Sequence, residues 1–402
     1  MIVKLFWFSI CHPAPPKDPP PPQVSSLMNA PSFPMAVKVF FVSSEAGCCG
    51  ESLQAKCLRL LDEAGLNEKI PEQGLVAVKT HFGEEGCDSF VSPLYIRQVV
   101  SKVKEAGGVP FVTDTNTLYR GMRHDAVYHL ALAIRHGFGS EVIGAPVFIA
   151  DGLRSKNDIV VEIPGVHLKE TRIAAGIADA DALIVVSHVK GHAVAGFGGA
   201  IKNLAMGCAS AEGKREQHRA MPAIVREDDC EGCGGCVSSC PEKAIAFEGA
   251  ARIDPDNCIG CGICVETCPE SAIYFDYVRD AAHLSERLAE YALGAASLFP
   301  EKVLYLNFLL RITPDCDCAP FSDRPIVPDI GILASADPVA IDAASLDLID
   351  GQQGFAGTRL ATHHAPGEDK FAGVWPEIPI RTQIRHGEKI GLGTSEYELI
   401  RI

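Results

Sequence analysis

Eight cysteines between Cys230 and Cys268 carry the strongest chemical signal in this 402-residue sequence. They form two runs, Cys230-x2-Cys233-x2-Cys236-x3-Cys240-Pro241 and Cys258-x2-Cys261-x2-Cys264-x3-Cys268-Pro269, the second repeating the first at an offset of 28 residues. Thiolates packed this closely suit iron–sulfur clusters, because three neighbouring cysteines wrap one cluster while the fourth reaches the other. The spacing predicts two [4Fe–4S] clusters, one on Cys230, Cys233, Cys236 and Cys268, the other on Cys258, Cys261, Cys264 and Cys240. Gly232, Gly235, Gly260 and Gly262 would let the backbone turn its N–H groups toward the sulfurs. Zinc ribbons separate their C-x2-C pairs by longer spacers, which makes zinc the weaker expectation.

A second group of residues gathers lysine and histidine beside glycine: Lys79-Thr80-His81, His188-Val189-Lys190-Gly191-His192 and Gly196-Phe197-Gly198-Gly199-Ala200-Ile201-Lys202-Asn203, with Lys214 and His218 following. Positive charge concentrated in a cleft of an acidic protein implies a small anionic ligand. Histidine can donate a proton or bind a metal, and lysine can clamp an anion or tether a cofactor. Lys79, His81, His188, Lys190, His192 and Lys202 are therefore the expected catalytic residues, with Gly198, Gly199 and Lys214 binding a cofactor. Residues 196–199 would offer backbone N–H groups to a phosphate or carboxylate at a helix start. The plain alternative for any single histidine is a buried, hydrogen-bonded side chain. Asp315-Cys316-Asp317-Cys318 adds two sulfurs that can share a metal or a face of a cofactor, against a purely structural role. Cys48, Cys49, Cys57, Cys87 and Cys208 have no evident partner.

The elements that must position these groups alternate between strand and helix. Val37–Val42, Leu75–Lys79, Val109–Thr113 and Ala182–Ser187 are apolar runs that end in polar or glycine-containing turns. Pro93–Ala106 keeps Ile96, Val99, Val100 and Val103 on one helical face, and Gly107-Gly108 stops it. After the cysteine segment the pattern resumes with a helix over Arg279–Ser297, strands at Val303–Leu310 and Ile330–Ala334, and a helix over Asp337–Ile349 with Asp337 as cap and Pro338 at its first position. Alternation of this kind predicts a mostly parallel sheet covered on both faces, with ligands beyond the carboxyl ends of its strands. Residues 226–277 hold 11 acidic and 3 basic side chains and read as a separate α+β unit inserted into the α/β domain. The expected organisation is a Pro-rich extension or mis-assigned start over 1–34, α/β over 35–225, the cysteine unit over 226–277, and α/β again over 278–402.

Composition narrows the classes. Asp and Glu outnumber Lys and Arg by 51 to 36, and no basic run with interleaved aromatics suggests nucleic acid. The N-terminal apolar run before PAPPKDPPPP is about half a bilayer span and lacks a small-residue cleavage site, so neither a signal peptide nor a membrane span is expected. Half of the 16 cysteines have metal-ligand spacing, which favours a reducing cytoplasm over a disulfide scaffold.

The cysteine repeats resemble bacterial dicluster ferredoxins over about 50 residues, which implies a fold of two short hairpins and two helices and one-electron transfer. The segments around Lys79, His188 to His192, Gly198 to Asn203, the ferredoxin-like insert, Asp315 to Cys318 and Asp337 to Ala340 together resemble the Fe–S center proteins carrying domain of unknown function 362, from about Met35 onward. That resemblance implies the inserted-ferredoxin architecture but no defined reaction. Gly196 to Lys202 is also similar to a Gly-Gly-x-Lys loop of the lactate racemase family, where a lysine tethers a nickel-pincer cofactor. The expected function is a ferredoxin-linked oxidoreductase that exchanges electrons with a redox partner protein and acts on a small anionic substrate or cofactor. The alternative is a non-catalytic electron carrier, redox sensor or metallocofactor-assembly factor.

Overall fold

Continuous apolar runs build the centre of the molecule. The computed structural model describes residues 36–402 apart from Cys48, Cys49, Arg120, Ala220 and Cys261. The expected extension over 1–34, the Cys48-Cys49 pair and the expected cluster ligand Cys261 therefore lie outside the described residues.

Eight strands form one sheet: β1 (Val37–Ser43), β2 (Leu75–Lys79), β3 (Val109–Asp114), β4 (Val147–Ile149), β5 (Ala182–His188), β6 (Val303–Leu309), β7 (Gly331–Ser335) and β8 (Tyr397–Arg401). Their spatial order is β8-β1-β7-β6-β5-β2-β3-β4. All run the same way except β7, which is antiparallel to both β6 and β1. Strands β5, β6 and β7 are buried along their whole length, as strands covered on both faces must be.

Alternate residues of each strand face opposite layers. Val185 and Tyr305 join the core built with helices α3 (Ala200–Cys208), α5 (Tyr277–Ser297) and α6 (Pro338–Asp350). Ile184 and Leu306 face the other core, built with α1 (Leu53–Glu63) and α2 (Pro93–Glu105). Ser92 caps α2 ahead of its Pro93, and Gly107, at φ +87, turns the chain straight into β3. Asp337 caps α6 by accepting from the amides of Val339 and Ala340.

Strand order reverses between β2 and β5: the chain moves outward through β3 and β4 on one side and from β5 to β6 on the other. In open α/β sheets such a reversal leaves a crevice at the carboxyl ends of the strands. Lys79 and His188 end the two strands that flank it.

Between helix α4 (Ala211–His218) and α5 the chain makes two small ribbons, Ala223–Val225 with Ile273–Phe275 and Ile245–Phe247 with Ala251–Ile253, plus the short helices Gly235–Ser239 and Ile263–Thr267. Adding 28 to each member of the first set of elements lands on the second: 223–225 on 251–253, 235–239 on 263–267, 245–247 on 273–275. The sequence repeat is thus a structural repeat. Among the described residues no helix is long and apolar enough to cross a membrane.

Candidate functional site

The crevice at the reversal opens into a cavity of about 200 Å³ whose lining includes Lys79, His81, His188, Lys190, His192, Gly198, Gly199, Lys202 and Lys214. All nine residues singled out in the α/β part of the sequence thus border one space, although they come from four separate stretches of chain. Asp114, Thr115, Tyr119, Arg123, Met206, His218, Cys316 and Cys318 also line it.

Lys79 is fully buried, and its ammonium meets Asn203 Oδ1 at 2.7 Å, Asp114 Oδ1 at 3.0 Å and the carbonyl of Thr80 at 3.2 Å. Those three acceptors match its three protons, so Lys79 ties β2, β3 and α3 together rather than reaching for a ligand. Glycine at 207 leaves room for this side chain, because a Cβ there would lie 2.4 Å from the Lys79 ammonium. Lys79, His81, His129 and Arg123 hold the Asp114 carboxyl well below its usual range, against the opposing effect of burial.

His188 is occupied in the same way. Its Nδ1 lies 2.9 Å from Asp317 Oδ1, and its Nε2 faces the carbonyl of Leu310 at 2.9 Å. Both ring nitrogens meet oxygen partners, so the ring is held by the protein on both sides. Lys190 approaches the other oxygen of Asp317 at 3.2 Å and the carbonyl of His188 at 2.9 Å. Burial disfavours its charge, yet Asp317 and Cys316 raise its pKa above the ordinary lysine value. The loop after β6 is therefore fastened to the end of β5 by a buried carboxylate shared between His188 and Lys190.

His81 and His192 behave differently. His81 Nδ1 accepts the amide of Gly83 at 2.9 Å, and His192 Nδ1 accepts those of Val194 and Ala195 at 3.2 and 3.0 Å. Burial, with Arg123 near His81 and Lys202 near His192, pushes both rings well below their ordinary pKa. Each is thus a neutral imidazole with its proton on Nε2, a donor for a ligand. Burial lowers Lys214 to about 8; its Nζ donates to Thr115 Oγ1 at 2.6 Å and to Ala209 at 2.7 Å. Among the described residues no carboxylate lies within 4.0 Å of the Lys202 or Lys214 ammonium, leaving these two cations to the cavity.

Lys202 Nζ instead stands 3.7 Å from Cys316 Sγ. A hydrogen bond from Cys318, opposed by burial but aided by Lys202 and Lys190, holds the Cys316 thiol well below its usual pKa, and Cys318 is raised in turn. Ligand atoms of His192, Cys316 and Cys318 lie within 4.8 Å of one another. Because Nδ1 of His192 already accepts two amides and Nε2 keeps the proton, the two sulfurs are the better metal donors of the three. A similar trio, His167, Glu290 and His386, is occupied structurally: Glu290 accepts the amides of Val166, His167 and Leu168 and bonds His386.

The glycine loop departs from expectation. Gly198 pairs with Lys190 in a small hairpin and Gly199 precedes α3, but the first amides of that helix, from Ala200 and Ile201, donate to Asp342 at 2.7 and 3.0 Å. The helix start is capped by a protein carboxylate, so residues 196–199 do not present it to an anion. Sequence reasoning also missed Asp114, Thr115, Tyr119 and Arg123. A polar pair closing the apolar run of β3 marks the first two, whereas Tyr119 and Arg123 sit in a loop with no periodic signal.

In the 226–277 unit, Cys230, Cys233, Cys236 and Cys268 line one small cavity and Cys240, Cys258 and Cys264 line another. The amide of Ala244 points at Cys240 Sγ from 3.3 Å and that of Ala251 at Cys230 Sγ from 3.5 Å. Elsewhere, Cys57 and Cys208 are core thiols that burial raises to about 12 and about 11. Cys87 lies beside Ser89 near Asp317.

Two solved structures are similar to the chain at low identity. One is the lactate racemase apoprotein from Thermoanaerobacterium thermosaccharolyticum, 14% identical with a TM-score of 0.35, covering 68% of this chain and 51% of that one. The other is a Thermotoga maritima protein from a structural genomics programme, 11% identical with a TM-score of 0.33, covering 64% and 50%. The chain spans about half the length of each. No curated protein matches it. A family model matches residues 76–347, from β2 into α6, and on that match the chain belongs to the family of the domain of unknown function DUF362.

Proposed function

We propose that this protein is an iron–sulfur oxidoreductase that holds two [4Fe–4S] clusters in its 226–277 unit and acts on a small anion in the cavity at the strand reversal. The observation that carries the reading is the crossed grouping of cysteines: Cys268, the fourth of the second run, joins Cys230, Cys233 and Cys236 around one space, and Cys240, the fourth of the first run, joins Cys258 and Cys264 around another. This is the grouping two cubane clusters require. The donors fit the group, since they are thiols with backbone amides directed at sulfur, and such ligands persist in a reducing compartment such as the cytoplasm. When bound, the clusters supply one-electron transfer.

The chain's own residues supply binding and proton handling. Lys202 and Lys214 attract an anion into the cavity, and Lys190 adds positive potential from behind. The Nε2–H groups of His81 and His192 orient it by donating hydrogen bonds, which strengthen as negative charge develops on the substrate. Lys79, His188, Asp114 and Asp317 keep the lining in register. Cys316 and Cys318 are candidates for a further metal or tethered cofactor.

Native mass spectrometry of anaerobically purified protein tests the proposal. The expected mass is that of the chain plus two [4Fe–4S] clusters, with additional ligand mass lost in Lys202→Met. A chain without clusters overturns the reading. Two clusters and no ligand under any condition favour the electron-carrier alternative.

A further inference from the structure

The 28-residue repeat makes the two cluster loops equivalent in sequence, and the rest of the molecule makes them different. Gly232 and Gly260 occupy the same repeat position, with φ of +72 and +61. A Cβ at Gly232 would meet the ring of Phe247, which is 48% exposed. At Gly260 it would lie 2.6 Å from the carbonyl oxygen of His218 and 2.8 Å from that of Met221. The second loop is therefore pressed against the end of α4, the helix whose Lys214 and His218 line the cavity.

Burial follows the same asymmetry. Cys258, Ile259 and Gly260 are buried, whereas Glu231 and Cys233 of the first loop are exposed. Ala223, five residues beyond His218, borders the space lined by Cys240, Cys258 and Cys264. The space lined by the other set is bordered by Glu231, Phe247 and Glu270; Glu242 is the counterpart of Glu270 at the space of Cys240, Cys258 and Cys264, but there Ile259 stands where Glu231 stands here. Exposed Glu227, Asp228 and Glu248 lie close along the chain; Arg252 stands 3.6 and 3.7 Å from Glu227 and Glu248, and the balance there remains negative.

We propose that the cluster of the second motif is the one that exchanges electrons with the cavity, and that the cluster of the first motif faces a redox protein carrying a basic docking patch. This rests on the two-cluster reading above. Each transfer would move one electron: the reduced partner protein is oxidised by one electron, the cysteine sets of the first and then the second motif would hold the groups that relay it, and two such passages would complete a two-electron reduction of the anion in the cavity. An acidic rim around an exposed aromatic suits a basic partner, since complementary charge speeds encounter.

Redox titration of the anaerobic holoprotein, followed by electron paramagnetic resonance, tests the order. Glu231→Gln labels the first-motif cluster, because removing a negative charge between two of its ligands raises its potential. Lys214→Gln removes a positive charge on α4 and is expected to lower the potential of the other, unlabelled cluster more than that of the labelled one. Arg219→Gln, on the exposed end of α4, gives the same reading should the Lys214 variant fail to fold. A larger shift of the labelled cluster overturns the proposed order. Electron transfer to a cationic cytochrome c tests the docking face: Glu248→Lys and Glu270→Lys are expected to slow it several-fold and flatten its salt dependence, and an unchanged rate overturns that assignment. Protein that lacks two clusters by iron and sulfide analysis overturns the functional reading itself, a distinguishable failure.

Discussion

His188 Nδ1 stands 2.9 Å from Asp317 Oδ1, joining the last residue of β5 to the loop that follows β6. Lys190 shares that carboxylate, and the amide of Gly191 donates to Thr313 at 2.8 Å, so the loop bearing Cys316 and Cys318 is clamped at several points. Asp317→Asn leaves His188 and the Lys190 ammonium facing a neutral, buried amide. Breaking a buried pair by removing one partner costs about 3–5 kcal/mol, and urea unfolding is expected to show a loss of that order. A loss under about 1 kcal/mol would mean that the clamp contributes little.

Lys202 is the cation beside Cys316, and reactivity reports on it. The thiolate is the nucleophile, and each unit of pKa changes its fraction about tenfold above neutrality. Lys202→Met is expected to slow iodoacetamide alkylation of Cys316 at pH 7 by up to about tenfold, read by peptide mass spectrometry. An unchanged rate would show that Lys202 does not set the thiol.

Burial pushes His129 down to about 3, with Asp114 opposing, and His218 down to about 4, with Lys202 and Lys214 adding to the effect. Both folded-state values lie below the unfolded 6.5. The unfolded chain therefore binds protons that the folded chain refuses. Stability from these rings is complete above about pH 6.5 and is lost as pH falls toward 4 and then 3, by up to about 1.4 kcal/mol per pH unit for each ring. His129→Phe is expected to flatten the decline in urea stability between pH 6.5 and 5. An unaltered slope would refute the assignment of His129 to it.

Glu290 is fully buried, and its pKa is depressed to about 2: burial opposes its charge, but His386 and three backbone amides stabilise it. Its stabilising charge is complete above about pH 4.5 and is lost as pH falls toward 2. Glu290→Gln replaces an acceptor by a donor toward those amides and is expected to cost about 1–3 kcal/mol. Faster hydrogen exchange confined to Val166, His167 and Leu168 is the local sign of that change, and unchanged exchange there would count against it.

Local chemistry explains how much could be read from the chain. Leu75–Lys79 and Pro93–Glu105 were legible because an apolar run or a helical stripe ends at Lys79, Ser92 or Gly107, each a residue with its own stopping chemistry. Cleft residues at strand ends followed from the same reading. The reversed direction of β7 was not legible, since nothing within Gly331–Ser335 encodes which neighbour it pairs with. Asp342 capping α3 was hidden for a related reason: the contact joins residues 142 positions apart, and the buried carboxylate, raised to about 6 by its burial, resembles any polar residue on a helix. Tyr119 and Arg123 are ordered by Glu84, Asp114 and each other, a set visible only once β2 and β3 stand side by side.

The position of β1 has a consequence for the order of synthesis. Val37–Ser43 is the earliest strand of the sheet to leave the ribosome, yet its two neighbours are Gly331–Ser335 and Tyr397–Arg401. Residues 226–277 are complete while β1 still has both edges unpaired, an invitation to off-pathway pairing in a crowded cell. The cysteine unit therefore emerges before either neighbour of β1, and β1 is sheltered on both sides only once Tyr397–Arg401 has paired with it.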